Sequence, residues 1–184
     1  RSIDFVLLTH AHLDHSGRIP FLYKEGFRGN LFATAPTIEL CEVLWLDMYK
    51  IMMEETNRIN RKNIRAGKPS IEPLYTEEDV RGALSLFKPV GYDEIVPFDD
   101  VEAVFRNAAH IIGAATIEVW LDDVKLVFSG DLGTFYNVME GSPPIIDEAD
   151  YVILESTYGD RLHKTLEETR EEFEYAIREA LKSG

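Results

Sequence analysis

Residues 7–17 read LLTHAHLDHSG, which places three of the chain's five histidines and one aspartate within six residues, directly after an apolar run. Ile3 to Leu8 carries apolar side chains on both faces, as a strand buried on both sides does. In an extended loop leaving that strand, residues two apart project to the same side. His10 and His12 can therefore share one metal ion, while a turn at Leu13 lets Asp14 and His15 address a second. Packing has little use for three imidazoles beside a carboxylate unless a cation offsets the cost of crowding them. A metal is expected here.

Two further candidates each follow a strand. His110 lies in NAAHIIGAA after the strand 101–107, and Asp131 lies in FSGDLG after the strand 124–129. Small residues surround both (Ala108, Ala109, Gly113, Gly130, Gly133), as expected where backbone approaches closely or turns sharply. Taken singly, a histidine after a strand is more often a surface or hydrogen-bonded core residue, and SGD is an ordinary turn. Their weight comes from the cluster at 10–15.

The rest of the pattern is mixed helix and strand. A short helix over 18–25 closed by Gly26, a strand over 31–34 and a long helix from Pro36 toward Asn63 come first. A helix capped by Thr76, with Asp79 three residues on, runs toward Phe87. Strands follow at 94–97, 101–107, 116–121 and 124–129, the last two joined by Asp122-Asp123 as a tight hairpin, and a buried-looking strand at 151–154. Thr165 and Glu168 form a capping box for a last helix with Leu166, Phe173, Ile177, Ala180 and Leu181 on one stripe, ended by Gly184. An α/β layered architecture is indicated.

Composition sets bounds. The 184 residues suit one domain, and 45% hydrophobic residues suffice for a core. No run reaches the roughly 18–20 apolar residues of a bilayer span, so no membrane role is expected. A single cysteine, Cys41, excludes an internal disulfide and fits a reducing compartment, with the cytoplasm as the expectation. The formal charge of −14 counts against a polyanionic partner unless bound cations compensate. Arg58, Arg61, Lys62, Arg65 and Lys68 form an internal exception between Thr56 and Ile71, with no acid among them. A solvated helix end and a nucleic-acid contact weigh equally there.

THAHLDHSG matches the His-x-His-x-Asp-His signature of the metallo-β-lactamase fold, and AAHIIGAA and SGDLG resemble its third and fourth ligand motifs, in order. ILESTYGDRLH, residues 153–163, is similar to the segment opening the nucleic-acid-cleaving β-CASP branch, particularly relatives of the cleavage-and-polyadenylation endonuclease. The resemblance implies an αββα sandwich, here incomplete. Residues 1–184 would be a partial domain ending at or just inside the start of the β-CASP insertion, a central excerpt of a longer nuclease. By the same resemblance His10, His12 and His110 would hold a first zinc, Asp14 and His15 a second, and Asp131 would bridge them; iron or manganese suits the same ligands. Glu155 would match the branch's first acidic motif, which orients a histidine that protonates the leaving oxygen. That histidine and a later ligand have no counterpart among the five histidines, so weak or no catalysis is expected of these residues alone. Arg161 and His163 would lie near the substrate. Ala109 stands where the family usually has glycine and Ala114 where serine is frequent.

The implied activity is hydrolysis of RNA phosphodiesters, endo- or exonucleolytic, by a hydroxide shared between two zinc ions, with Asp14 orienting it. Single-stranded RNA would be the partner, with a homodimer or a processing complex as the assembly. Rival readings are a DNA nuclease, another hydrolase of the same fold, a flavin-partnered iron enzyme, and a non-catalytic scaffold subunit of a processing complex. Glu155 within ESTYG leans toward RNA.

Overall fold

The computed structural model describes residues 3–98, 100–134 and 141–183. The chain divides into two units, Arg1–Leu154 and Glu155–Gly184. The first contains two sheets. Strands β1 (Phe5–Leu7), β2 (Asn30–Thr34) and β3 (Phe87–Val90) form a parallel sheet in that order. Strands β4 (Ile95–Phe98), β5 (Val101–Asn107), β6 (Ala115–Leu121), β7 (Val124–Phe128) and β8 (Tyr151–Ile153) form the second, antiparallel except for β7 and β8.

Side-chain alternation explains the layering. Leu31 and Ala33 of β2, with Val6, face a core shared with Trp45, Cys41, Val80 and Ala83 from the helices and with Tyr75 just before the last of them. Phe32, Phe5 and Leu7 point the other way, onto Phe98, Phe105 and Ile117 of the second sheet. Phe5 stacks on Phe98 at 4.8 Å between ring centroids. The parallel sheet is thus covered on both faces, as its two-sided apolar pattern requires.

The helices of this unit are α1 (Leu13–Ser16), α2 (Ile19–Lys24), α3 (Ala35–Arg65) and α4 (Glu77–Leu84). Thr34 caps α3, its hydroxyl accepting from the Thr37 amide, and α4 carries a complete capping box between Thr76 and Asp79.

The turn expected at Leu13 is one turn of helix over 13–16, closed by the Ser16 and Gly17 amides onto the His12 and Leu13 carbonyls. Three expectations change. The helix from Thr76 stops at Leu84, short of the expected end near Phe87, and residues 87–90, where no strand was expected, form β3. Pro89 fits there because β3 is the outer strand of its sheet. The strand at 151–153 is exposed, not buried, since it is the outer strand of the second sheet. In the second unit, helix α5 (Leu166–Ser183) has the predicted Thr165–Glu168 box, but none of its stripe is buried within the described residues. Gly184, read as its end, lies outside those residues.

Candidate metal centre

Three loops supply the centre, and the strand directions bring them to one side. β5 and β7 both run antiparallel to β6, so their carboxyl ends share an edge of the sheet. The Ala115 amide at the start of β6 donates to the Thr9 carbonyl (2.8 Å), which ties the end of β1 to that same edge. His10–His15, His110 and Asp131 follow β1, β5 and β7 respectively.

One ligand atom each from His10, His12, His110 and Asp131 lies within 4.8 Å of the others. His12 Nδ1 is 3.2 Å from His10 Nε2 and 3.2 Å from His110 Nε2. A ring nitrogen has one in-plane lone pair or one hydrogen, so His12 cannot make both contacts as good hydrogen bonds. The spacing has another meaning: zinc–nitrogen bonds of 2.0–2.1 Å at tetrahedral angles put neighbouring ligand atoms about 3.3 Å apart. Asp131 Oδ2 lies 3.6 Å from His10 Nε2 and 3.5 Å from His110 Nε2. Its other oxygen, Oδ1, is 3.2 Å from His15 Nε2, which lies 3.5 Å from Asp14 Oδ2. The donor set fits a divalent cation among three imidazoles and a carboxylate, and Asp131 offers a second oxygen toward His15 and Asp14.

His10 is 1% exposed. Burial, with smaller contributions from His15, His12 and His110, lowers its pKa to about 3, so the imidazole is neutral at pH 7 and keeps a lone pair for a metal. Thr9 Oγ1 sits 3.2 Å from His10 Nδ1. A hydrogen on Nδ1 leaves Nε2, the atom facing the cluster, as the donor to the cation.

The supports were not read from the sequence. Ser16 is fully buried; its hydroxyl donates to the Ala11 carbonyl (2.7 Å) between His10 and His12 and accepts from Trp45 Nε1 (3.0 Å) on α3. Thr34 and Thr37 both donate to the Gly113 carbonyl, at 2.7 and 2.9 Å, fixing the His110 loop to the start of α3. Gly113 has φ +86°, and a Cβ there would stand 2.6 Å from the Thr37 amide nitrogen. Ala109 adopts φ +53°, the left-handed region that costs an alanine roughly 1–2 kcal/mol, and its amide donates to Asn107 Oδ1 (2.8 Å). This gives a physical reason for glycine at the position before the histidine.

Glu155, Arg161 and His163 belong to the second unit. There Tyr158 and His163 stack at 3.6 Å between ring centroids, and the Arg161 guanidinium lies 4.9 Å from the Tyr158 ring centre.

No family model matches the chain. Similarity to individual proteins covers it from end to end. It is 36% identical over 184 residues to ribonuclease TTHA0252 of Thermus thermophilus, spanning all of this chain and 38% of that protein. It is 29% identical to transcription termination factor FttA of a Lokiarchaeum species, over all of this chain and 28% of the relative. Cleavage and polyadenylation specificity factor subunit 3 of Dictyostelium discoideum is 27% identical over 97% of this chain and 22% of its own length. The chain is a relative of the β-CASP metallo-β-lactamase proteins. It spans little more than a third, at most, of the length of these β-CASP relatives. No helix among the described residues is long and apolar enough to cross a membrane.

Proposed function

We propose that the protein hydrolyses RNA phosphodiesters with two zinc ions held by His10, His12, His110, Asp131, His15 and Asp14, on an αββα sandwich of which residues 1–184 form part. The convergence of three imidazoles and one carboxylate from three separate loops carries this reading. The similarity to a ribonuclease over the whole chain supports RNA as the substrate. Such ions supply a hydroxide from water near neutral pH and offset charge on the attacked phosphate, which lysine alone does not do.

The residues divide the remaining work. His10, His12 and His110 stand on one side of Asp131, with the buried His10 imidazole neutral, and His15 with Asp14 stands on the other. Asp14 has its side chain 77% exposed, so its carboxylate is open to solvent and to an incoming phosphodiester, where it orients the attacking oxygen. Glu155 acts as a positioning residue for proton delivery to the leaving oxygen. Arg161 and His163 contact the substrate, with Arg161 supplying charge to a phosphate.

The test is metal analysis of the intact protein followed by cleavage of labelled RNA and DNA with and without chelator. Asp131→Ala should lose metal and cleavage together, whereas Glu155→Gln should keep metal and lose turnover. Cleavage that survives full chelation would overturn the reading. Equal metal loss in Glu155→Gln would remove the role given to that carboxylate.

A further inference from the structure

Four cations of α3 share one face. At 100° per residue, Arg58, Arg61, Lys62 and Arg65 fall within an arc of about 100°. Met52, Met53, Thr56, Ile59, Asn60 and Asn63, on the opposite side, are the buried or half-buried residues of that stretch. Lys68 is brought back to the same helix end. The Asn60 side chain donates to the Ile71 carbonyl (2.9 Å) and accepts from its amide (2.8 Å), and the Asn63 side chain donates to the Pro69 carbonyl (3.1 Å). The Lys68 amide also donates to the Asn63 carbonyl (2.9 Å). All five cations are exposed.

Helix stability does not account for the array. The favourable interaction with a helix's negative end fades beyond the last turn, which leaves Arg58 and Arg61 outside it. Arg58–Lys62 and Arg61–Arg65 are like-charge pairs at i,i+4, which oppose helix formation. Arg58 has one acidic partner, Glu55 at 2.6 Å, while Lys62, Arg65 and Lys68 have none among the described residues. A one-sign face of this kind, in a chain with a formal charge of −14, is complementary to a polyanion.

We infer that this helix end is a remote anchor for the RNA strand, engaging phosphates away from the metal centre; the inference rests on the reading of that centre as RNA-cleaving. Trp45 of α3 bonds Ser16, next to His15. At 1.5 Å per residue, Arg61 to Arg65 lie about 24–30 Å further along the axis. A stacked strand rising about 3.4 Å along its axis per nucleotide needs about seven to nine nucleotides to cover that distance. The anchor therefore acts only on substrates longer than this.

The test compares the intact wild-type protein with the triple variant R61Q, K62Q, R65Q, since glutamine keeps helix propensity. Binding of a fluorescent 30-nucleotide oligouridylate is titrated from 50 to 200 mM KCl. Each lost phosphate contact removes about 0.7 from the salt slope on a single strand. Three lost contacts make the wild type weaken about 18-fold more than the variant over that fourfold salt range. The KM for cleaving the 30-mer should rise while kcat, and both constants for a five-nucleotide substrate, stay unchanged. An unchanged salt slope in a variant with wild-type helicity and metal content overturns the anchor, as does an equal KM rise for the short substrate. If the wild type cleaves no RNA yet the salt slope still falls, the cleavage reading fails and the anchor stands.

Discussion

Replacing Gly133 by alanine should cost the centre its metal before it costs the protein its fold. Gly133 donates its amide to the Ala108 carbonyl (2.8 Å), so the loop carrying Asp131 lies backbone against backbone on the loop carrying His110. A Cβ at 133 would stand 1.5 Å from the Ala109 carbonyl oxygen and 2.8 Å from the His110 amide nitrogen. The nearest ordinary carbon–oxygen contact is about 3.2 Å, so one loop must retreat by about 1.7 Å. No flexible side chain can absorb that, because the obstructing atoms are main chain. Metal sites tolerate bond-length errors of about 0.2 Å, and the required retreat is several times larger. His110 and Asp131, now 3.5 Å apart, could not serve one ion together. Loss of an outer support alone typically costs 10–100-fold in affinity, so at least about 100-fold is expected when a ligand is displaced. Chelator-competition titration of zinc, with circular dichroism to establish that the variant is folded, measures this. A folded Gly133→Ala protein that binds zinc as tightly as wild type would refute the reasoning.

Two other perturbations follow from the supports. Ser16→Ala leaves the Trp45 indole N–H and the Ala11 carbonyl without the partner each now has, at a cost of roughly 1–3 kcal/mol, readable as a lower urea midpoint with unchanged slope. Glu118, with a 5% exposed side chain, accepts from Arg106 Nε (2.5 Å) and pairs with Lys125. Burial pushes its pKa upward, but the hydrogen bonds and charges of Lys125 and Arg106 prevail, and the carboxyl titrates below the usual range. Its stabilisation is therefore complete above about pH 4.5 and is lost as pH falls through the folded value. Glu118→Gln should lower stability by about 2 kcal/mol at pH 7, with the gap closing as the solution is acidified. A gap that widens in acid would contradict the sign.

The group that could hold a metal was legible because its residues are local in sequence: His10 to His15 lie within six residues, and His110 and Asp131 each follow a recognisable strand. The framework was legible where periodicity is strong, as in α3 and in the β6–β7 hairpin, whose Leu121 and Val124 pair across the two predicted turn residues. β3 was missed because four residues containing a proline carry almost no strand signal; only pairing with β2 makes Phe87–Val90 a strand. The same holds for the supports. Ser16 and Trp45 are 29 residues apart, and Thr37 and Gly113 are 76 apart, so nothing local announces their contacts. Tertiary context decides them.

Those long-range supports bear on what the metal does for folding. The Ser16–Trp45 bond, the two threonine donors on Gly113 and the Gly133–Ala108 contact join protein groups alone, with no metal ligand atom among their partners. The ring nearest the middle of the cluster is held neutral, since burial and the neighbouring imidazoles keep His10 at about 3. At pH 7 the metal-free cluster therefore does not force a charged His10 among its neighbours. Below about pH 6.5 the sign turns unfavourable: an unfolded His10 takes a proton that the folded one refuses until about pH 3, so metal-free stability declines with acid across that window. Removing zinc at pH 7 should consequently leave far-UV dichroism intact and lower the unfolding free energy only by the linkage amount. That amount is about 2.7 kcal/mol when free zinc had stood at 100 times Kd. A zinc-nucleated fold behaves otherwise, unravelling on chelation as small finger domains do. Loss of helical signal in chelator at pH 7, restored by zinc, would show that the ion organises these loops and that the hydrogen bonds merely follow.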